Sequence, residues 1–257
     1  MKTQLSELVS VLEEKEVRAP QDLTIGGLAL DSRETGEGTL FFALPGEKED
    51  GGDYIAEAKA RGAACAVCEQ PPETEIPYIL VPDAHKALAL CAAVWYGTPA
   101  GKLTVVGVTG TNGKTTTTCL IKQLLERTKG AKVGLIGTNQ NLIGESAVPA
   151  ERTTPDALTL QRLLAQMVDA GCTYAVMEVS SHALIQKRVE GIRFRVGVFT
   201  NLTQDHLDYH GTMEAYCEAK ARLFDQCDIA CVNGDDKWTE RLLARFAGES
   251  VTFGQDM

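Results

Sequence analysis

The apolar and polar positions of the chain alternate between helical and strand-like spacing. Short apolar runs bounded by Gly, Pro and polar residues predict strands, and longer runs with apolar residues three or four apart predict helices. In the first hundred residues, strands are predicted at 27–33, 39–44, 63–68 and 78–81, with helices at 54–61 and 83–96. An additional amphipathic helix at the start is indicated by four apolar residues amid Glu and Lys, namely Leu5, Leu8, Val9 and Leu12.

Beyond residue 102 the predicted strands and helices alternate regularly. The strands lie at 103–109, 132–138, 174–178, 196–200, 229–232 and 251–253, and the helices at 114–128, 155–170, 212–225 and 236–246. The second of these helices is well marked, since Thr154 can cap it and Pro155 suits its first position. Such alternation predicts an α/β fold with a mostly parallel sheet and helices on both faces.

The segment 97–102, with its Gly, Thr and Pro residues, is the clearest linker in the chain. We therefore predict a small α/β domain over residues 1–98 and a central domain with a phosphate loop over residues 99–257. Because the chain ends at Met257 just after a predicted strand, we expect that central domain to be incomplete.

Charge and cysteine usage narrow the class of protein. A formal net charge of -10 argues against nucleic acid or a membrane surface as the main partner. The longest apolar run, 87–96, is too short to span a bilayer, and no signal peptide is visible. Cys65 and Cys68 form an isolated pair in an apolar run, which indicates core packing more than a zinc site. We expect a soluble protein of the reducing cytoplasm.

The strongest candidate for chemistry is the stretch 105–116. An apolar β-branched run enters a loop of small residues, and Lys114 and Thr115 then open a helix, which is the layout of a phosphate-binding loop. Val108 stands where the common pattern has its first Gly, so the shorter segment from Gly110 to Thr115 must hold the phosphate. The alternative is a Gly-rich turn with an incidental Lys.

Two acid or base groups follow other predicted strands. Glu178 closes the strand at 174–178, where it can serve as a second Mg²⁺ ligand beside the Thr115 hydroxyl. Its alternative interpretation is an ordinary solvated strand end. His206 lies in a loop rich in His and Asp after the next strand, and it is either a metal ligand or part of a solvated polar loop.

Lys220 is unusual because it falls among the apolar residues of the predicted helix at 212–225. A lysine in this position either extends its amine outward to solvent or keeps it buried for a functional role. Desolvation favours the neutral amine, which can react with CO2 to form a carbamate, an anionic metal ligand.

Seven motifs together make the sequence resemble the Mur ligases, and within them the MurE type. They are the segments 30–33 (Leu-Asp-Ser-Arg), 39–46 (Thr-Leu-Phe-Phe-Ala-Leu-Pro-Gly), 110–116 (Gly-Thr-Asn-Gly-Lys-Thr-Thr), 153–156 (Thr-Thr-Pro-Asp), 177–182 (Met-Glu-Val-Ser-Ser-His), 201–210 (Asn-Leu-Thr-Gln-Asp-His-Leu-Asp-Tyr-His) and 218–220 (Glu-Ala-Lys). The MurE type adds the third amino acid, diaminopimelate or lysine, to UDP-N-acetylmuramoyl-L-Ala-D-Glu through an acyl phosphate.

The resemblance implies a role for each matching position. The ATP phosphates would lie on Gly110, Thr111, Asn112, Gly113, Lys114, Thr115 and Thr116. The UDP end of the sugar nucleotide would lie on Leu30, Ser32, Glu47, Lys48 and Glu49, and its muramoyl-dipeptide end on Thr153, Thr154, Ser180, Gln186 and Arg188. Mg²⁺ would be held by Thr115, Glu178, His206 and Lys220 as a carbamate, with Lys114, Glu178, His206 and Lys220 as the catalytic group.

A whole Mur ligase has a third, C-terminal domain, which is absent from these 257 residues. The resemblance therefore implies a fragment that binds the UDP-sugar, and nucleotide weakly, but does not turn over its substrates unaided. We expect this fragment to be a monomer. Two alternatives remain open. One is another ligase of the superfamily, either a different Mur step or a folylpolyglutamate synthase, and the other is a non-catalytic remnant that binds nucleotide or sugar nucleotide.

Overall fold

A computed structural model describes residues 2–20, 22–46 and 49–255. The chain divides into two compact units, Met1–Gly97 and Thr98–Met257, so the division falls one residue before the predicted boundary. Among the described residues, no helix combines the length and apolar composition needed to cross a bilayer. The candidate residues Glu47 and Lys48 lie outside the described part of the chain.

The first unit is a small α/β structure. Its strands are β1 (Thr3–Gln4), β2 (Glu16–Arg18), β3 (Thr24–Ile25), β4 (Gly27–Ala29), β5 (Thr39–Phe42), β6 (Ala63–Cys68) and β7 (Tyr78–Leu80). Its helices are α1 (Leu5–Leu8), α2 (Ile55–Ala60) and α3 (Ala84–Trp95). A five-stranded sheet has the order β2-β7-β6-β5-β4, in which β4 to β7 run parallel and β2 is antiparallel to β7. Cys65 and Cys68 are buried in β6, and burial raises their thiol pKa to about 12 and about 11.

The second unit contains an eight-stranded sheet. Its strands are β8 (Thr104–Thr109), β9 (Val133–Ile136), β10 (Asn141–Ile143), β11 (Ser146–Val148), β12 (Tyr174–Glu178), β13 (Phe194–Phe199), β14 (Cys227–Asn233) and β15 (Glu249–Phe253). Its helices are α4 (Lys114–Lys129), α5 (Ala157–Asp169), α6 (Ser181–Ile185), α7 (Leu207–His210), α8 (Met213–Ala221) and α9 (Thr239–Leu243). The order is β11-β10-β9-β12-β8-β13-β14-β15, and all neighbours from β9 to β15 pair in parallel.

Both faces of this sheet are covered by helices, which confirms the predicted fold class. Apolar residues of α5 and α8, among them Leu164 and Tyr216, pack on one face with Met177 of β12. On the other face, Ile121 and Leu125 of α4 pack against the buried residues of the central strands. The central strands are buried on both sides, which explains why they appear in the sequence as nearly continuous apolar runs.

The prediction that Thr154 caps the second helix of this unit is wrong. The helix α5 begins at Ala157, and the Asp156 carboxylate caps it by accepting from the Thr159 N–H over 2.9 Å. The Thr154 hydroxyl instead donates to the Glu178 carbonyl over 2.9 Å. Both residues are good helix caps, so the sequence alone could not distinguish them.

Several elements are shorter in the structure than the sequence predicts. The strand predicted at 27–33 ends at Ala29, and Asp31 then caps a short 3₁₀ turn by accepting from the Arg33 N–H. The helices predicted at 212–225 and 236–246 are α8 and α9, of nine and five residues. The antiparallel hairpin of β10 and β11 was not predicted, since its strands have three residues each.

Candidate functional site

Three loops meet at the carboxyl edge of the second sheet. The strands β12, β8 and β13 are neighbours, with Glu178 paired to Val108 and Phe199 paired to Thr109. The candidate phosphate loop follows β8, the segment with Ser180 follows β12, and the segment with His206 follows β13. This edge is where parallel α/β sheets bind their ligands.

The phosphate loop leads directly into α4, whose first residue is Lys114. The Lys114 amine donates to the carbonyls of Gly110 and Thr111 over 2.8 and 2.9 Å, so it arches back over the loop. Burial lowers the pKa of this amine, and the nearby carboxylates of Glu178 and Asp205 oppose the shift. The first N–H groups of α4 have no acceptor within the helix and can therefore receive an anion. Thr116 is exposed in this first turn.

Two glycines of the site are required by close approaches: Gly110 in the phosphate loop and Gly137 just after β9. A Cβ on Gly110 would lie 1.9 Å from the Thr200 hydroxyl, and Gly110 has φ of 147°. A Cβ on Gly137 would lie 2.5 Å from Oε1 of Glu178. Each glycine therefore lets another part of the site come closer than a side chain would permit.

Glu178 is buried and accepts three hydrogen bonds. The Thr115 hydroxyl donates to its Oε1 over 2.9 Å, and the Thr138 N–H donates to the same oxygen over 2.9 Å. The Thr138 hydroxyl donates to Oε2 over 3.1 Å. With a side chain only 1% exposed, Glu178 is not the solvated strand end of the alternative interpretation.

Lys220 is also only 1% exposed, so it does not extend its amine into solvent. Its Nζ donates to the Gly110 carbonyl over 2.9 Å and lies 4.4 Å from the centroid of the Tyr216 ring. Burial and the neighbouring charge of Lys114 hold the pKa of this amine well below its usual range, against the opposing charge of Asp205. The two lysines share one acceptor, since Lys114 donates to the same carbonyl.

His206 belongs to a group of aromatic rings beside Lys220. Its ring lies 5.1 Å from that of His182 and 6.3 Å from that of Tyr216. His210 stacks on Tyr216 at 4.7 Å, and its Nε2 lies 2.8 Å from the Ser181 hydroxyl.

Of the four predicted magnesium ligands, Thr115 and Glu178 are in direct contact. Across 2–20, 22–46 and 49–255, no group of three or more His, Cys, Asp and Glu side chains is arranged to hold a metal. Mg²⁺ typically keeps several waters and binds one or two carboxylates together with substrate phosphates. The oxygen pair of Thr115 and Glu178 at the helix start fits that type of site.

The residues predicted for the muramoyl-dipeptide end form one network in the second unit. Thr154 accepts from the Ser180 N–H over 3.0 Å, and its carbonyl accepts from Arg188 over 2.8 Å. The guanidinium of Arg188 also donates to Oε1 of Gln186. The Thr153 hydroxyl lies 3.0 Å from the Thr138 hydroxyl, which itself donates to Glu178, so Thr153 is the donor in this pair and links the network to Glu178. Burial lowers the pKa of Arg188.

Three of the residues predicted for the UDP end line a cavity in the first unit. The cavity has a volume of about 460 Å³, and its lining includes Leu30, Ser32 and Glu49. The Ser32 hydroxyl donates to Glu57 over 2.8 Å, and Glu49 accepts from the Tyr54 hydroxyl over 3.0 Å. Sequence reasoning did not single out Tyr54 or Glu57, which stand near the start of a predicted helix and resemble ordinary surface residues.

Sequence reasoning also missed Thr138 and Tyr216 at the carboxyl edge of the second sheet. Thr138 directly follows Gly137 after β9, and that position, the end of a parallel strand, was the available signal. Tyr216 is a buried residue of α8, and its hydroxyl lies 3.4 Å from that of Thr111.

The fold and this loop define an α/β protein of the nucleotide-binding class, with a phosphate loop that opens a helix. Comparison with protein families agrees, since the Mur ligase middle domain matches residues 108–257 and the Mur ligase family catalytic domain matches residues 24–96. The chain belongs to the Mur ligase family.

Individual relatives are consistent with this assignment. The UDP-N-acetylmuramoyl-L-alanyl-D-glutamate--2,6-diaminopimelate ligase of Geobacillus kaustophilus is 48% identical over 239 residues, which are 90% of this chain and 49% of the relative. A solved structure of a ligase of the same name has a TM-score of 0.84 at 30% identity, over 100% of this chain and 53% of the other. The MurF ligase of Thermotoga maritima in complex with ADP has a TM-score of 0.58 at 25% identity, over 90% and 50%. The chain thus spans about half the length of the curated relatives it matches.

Proposed function

We propose that this chain is the part of a MurE-type ligase that binds ATP and the UDP-sugar. The reaction is the ADP-forming addition of a third amino acid, diaminopimelate or lysine, to UDP-N-acetylmuramoyl-L-Ala-D-Glu in peptidoglycan precursor synthesis. The observation that carries the proposal is the hydrogen bond from Thr115 to Glu178 at the start of α4. In the same turn, the Lys114 amine donates back to the Gly110 carbonyl of the loop. The names of the relatives support the choice of this step.

The chemistry requires activation of a carboxylate. The free carboxylate of the dipeptide takes the terminal phosphate of ATP, which gives an acyl phosphate and ADP. The amine of the amino acid then attacks the acyl carbon, phosphate leaves, and an amide forms. Both steps depend on positioning and on neutralising negative charge.

The residues of the second unit have distinct roles in this proposal. Lys114 turns from the loop carbonyls to the phosphates, and the N–H groups at the start of α4 bind them. Thr115, Glu178, His206 and Lys220 as a carbamate would hold Mg²⁺. The ion supplies charge neutralisation at the phosphates. The burial of Lys220 supports the carbamate, because a neutral amine is the form that reacts with CO2.

The residues proposed to bind the sugar nucleotide form two groups, one in each unit. Leu30, Ser32 and Glu49, with Glu47 and Lys48, hold the UDP end, and the cavity of the first unit supports this role. The network of Thr153, Thr154, Ser180, Gln186 and Arg188 holds the muramoyl-dipeptide end. We place the protein in the cytoplasm as a monomer that acts on small molecules.

Equilibrium binding of two sugar nucleotides to the 257-residue chain tests the proposed substrate. UDP-N-acetylmuramoyl-L-Ala-D-Glu should bind roughly tenfold or more tightly than UDP-N-acetylmuramoyl-L-Ala, since a carboxylate hydrogen-bonded to Arg188 contributes roughly 1.5–3 kcal/mol. Equal affinities would show that the D-Glu residue is not recognised and would argue for a different Mur step.

An ADP-release assay addresses turnover by the same chain. With the UDP-dipeptide, ATP and either amino acid, we expect binding without turnover, because the matched relatives are about twice as long. Substantial turnover would contradict that expectation. Absence of both ADP and sugar-nucleotide binding would contradict the proposed function itself.

A further inference from the structure

Asn201 contacts the phosphate loop through its side chain and its backbone. It follows β13 by two residues, and its Oδ1 accepts from the Asn112 N–H over 3.0 Å. Its Nδ2 donates to the Asn112 carbonyl over 3.2 Å, and its own carbonyl accepts from the Thr111 N–H over 2.8 Å. These bonds join residues 89 or 90 apart in sequence, and together they hold both sides of the Asn112 backbone.

This arrangement determines which N–H groups remain for a phosphate. Those of Thr111 and Asn112 are used by Asn201. The N–H groups at the start of α4 have no acceptor within the helix, so they can receive an anion at this loop. Gly113, in a left-handed conformation with φ of 84°, turns the chain from the held segment into that helix.

The chemistry of the contact favours an amide side chain. One end must accept from an N–H and the other must donate to a carbonyl, and the amide of Asn carries both groups on one short planar unit. An Asp in this position would keep the acceptor but direct its second oxygen at the Asn112 carbonyl. Thr200 reinforces the contact, since its hydroxyl donates to the same carbonyl over 2.6 Å.

The segment that carries Asn201 is itself fixed by the next strand. The Asn233 side chain at the end of β14 donates to the Thr200 carbonyl over 2.9 Å. The Leu202 N–H donates to Asp236 over 2.7 Å. The residues on either side of Asn201 are therefore each held by a hydrogen bond to a residue at or just after the end of β14.

We infer that Asn201 is a positioning residue, which holds residues 111–112 so that the start of α4 faces the nucleotide phosphates. This inference rests on the proposed function, in which the loop binds ATP. It adds a role for a residue whose side-chain hydrogen bonds go to the backbone of the loop.

Calorimetric titration of Mg·ADP tests the role with Asn201→Ala and Asn201→Asp. Both variants should raise the Kd at least about tenfold at a temperature where each is fully folded, since the loop loses its fixed geometry. Amide hydrogen exchange should show faster exchange at Asn112 in the Ala variant only. Asp83→Ala is the matched control, because it removes the cap of α3 in the other unit and should lower stability without changing the Kd.

The outcomes separate the inference from the proposed function. Failure of the parent chain to bind Mg·ADP would contradict the proposed function and the inference with it. If the parent binds and both Asn201 variants bind within twofold of it, the inference is wrong and the proposed function stands. If Asp83→Ala loses as much affinity as Asn201→Ala, the loss of affinity comes from lower stability and not from the position of the loop. That result would also overturn the inference.

Discussion

The Thr115 hydroxyl donates to Oε1 of Glu178 over 2.9 Å, which joins the first turn of α4 to the end of β12. The two residues lie 63 positions apart, and the parallel pairing of β8 with β12 brings them together. A hydroxyl and a carboxylate beside an anion-binding helix start are the oxygen ligands that Mg²⁺ takes alongside phosphate.

Glu178→Gln should weaken ADP binding at least about tenfold when Mg²⁺ is present and little when it is absent. The amide keeps the size of the side chain but removes the negative charge that attracts the ion. Calorimetry with Mg²⁺ and with a chelator measures the difference. A loss of affinity that is the same in both conditions would show that Glu178 does not act through a metal.

The Thr115 hydroxyl can be tested by a pair of substitutions. Thr115→Ser retains the hydroxyl and should preserve Mg²⁺-dependent ADP binding, whereas Thr115→Val should lose about as much as Glu178→Gln. Calorimetric titration of ADP, with Mg²⁺ and with a chelator, measures both affinities. Equal affinities of the Ser and Val variants would show that the Thr115 hydroxyl does not contribute to Mg²⁺-dependent ADP binding.

Gly110→Ala should lower the free energy of unfolding by roughly 1–3 kcal/mol and weaken ADP binding, because the added Cβ meets the Thr200 hydroxyl. Gly101→Ala is the control, since its Cβ would meet nothing within 4 Å. Chemical denaturation of both variants measures the effect. A Gly110→Ala variant as stable as the control would show that the loop can move away from Thr200.

Stability should depend on pH through His210. Burial, with the nearby His182, Lys220 and His206, lowers the pKa of His210 to about 4 from its usual value of 6.5. Between these values the unfolded chain binds the proton and the folded chain does not, so the free energy of unfolding decreases as pH falls from 6.5 to about 4. Above 6.5 this contribution is constant, because His210 is neutral in both states.

His210→Gln isolates this contribution from other titrating groups. Denaturation of the parent and the variant at several pH values should give a difference that shrinks as the pH falls through this range. A difference that stays constant between pH 7.5 and pH 4.5 would show that His210 protonates equally in both states.

The sequence predicted the features that depend on neighbouring residues, and it did not predict contacts between residues far apart in the chain. Strands such as β8 and β12 were predicted because their burial makes them continuous apolar runs, a local signal. The motifs identified Lys114 and Glu178, but not the Thr138 bonds to Glu178, which link residues 40 apart. Asn201 gave no local signal for its contact with Asn112, since that contact exists only once β8 and β13 are paired.

Titration of Mg·ADP into the parent chain and Lys114→Met tests the central claim most directly. The account predicts saturable binding by the parent and an affinity roughly 10- to 100-fold lower in the variant, because a charge-assisted hydrogen bond to phosphate is lost. Gly101→Ala should bind as the parent does. No binding by the parent, or equal binding by Lys114→Met, would contradict the assignment of this loop as the ATP site of a ligase.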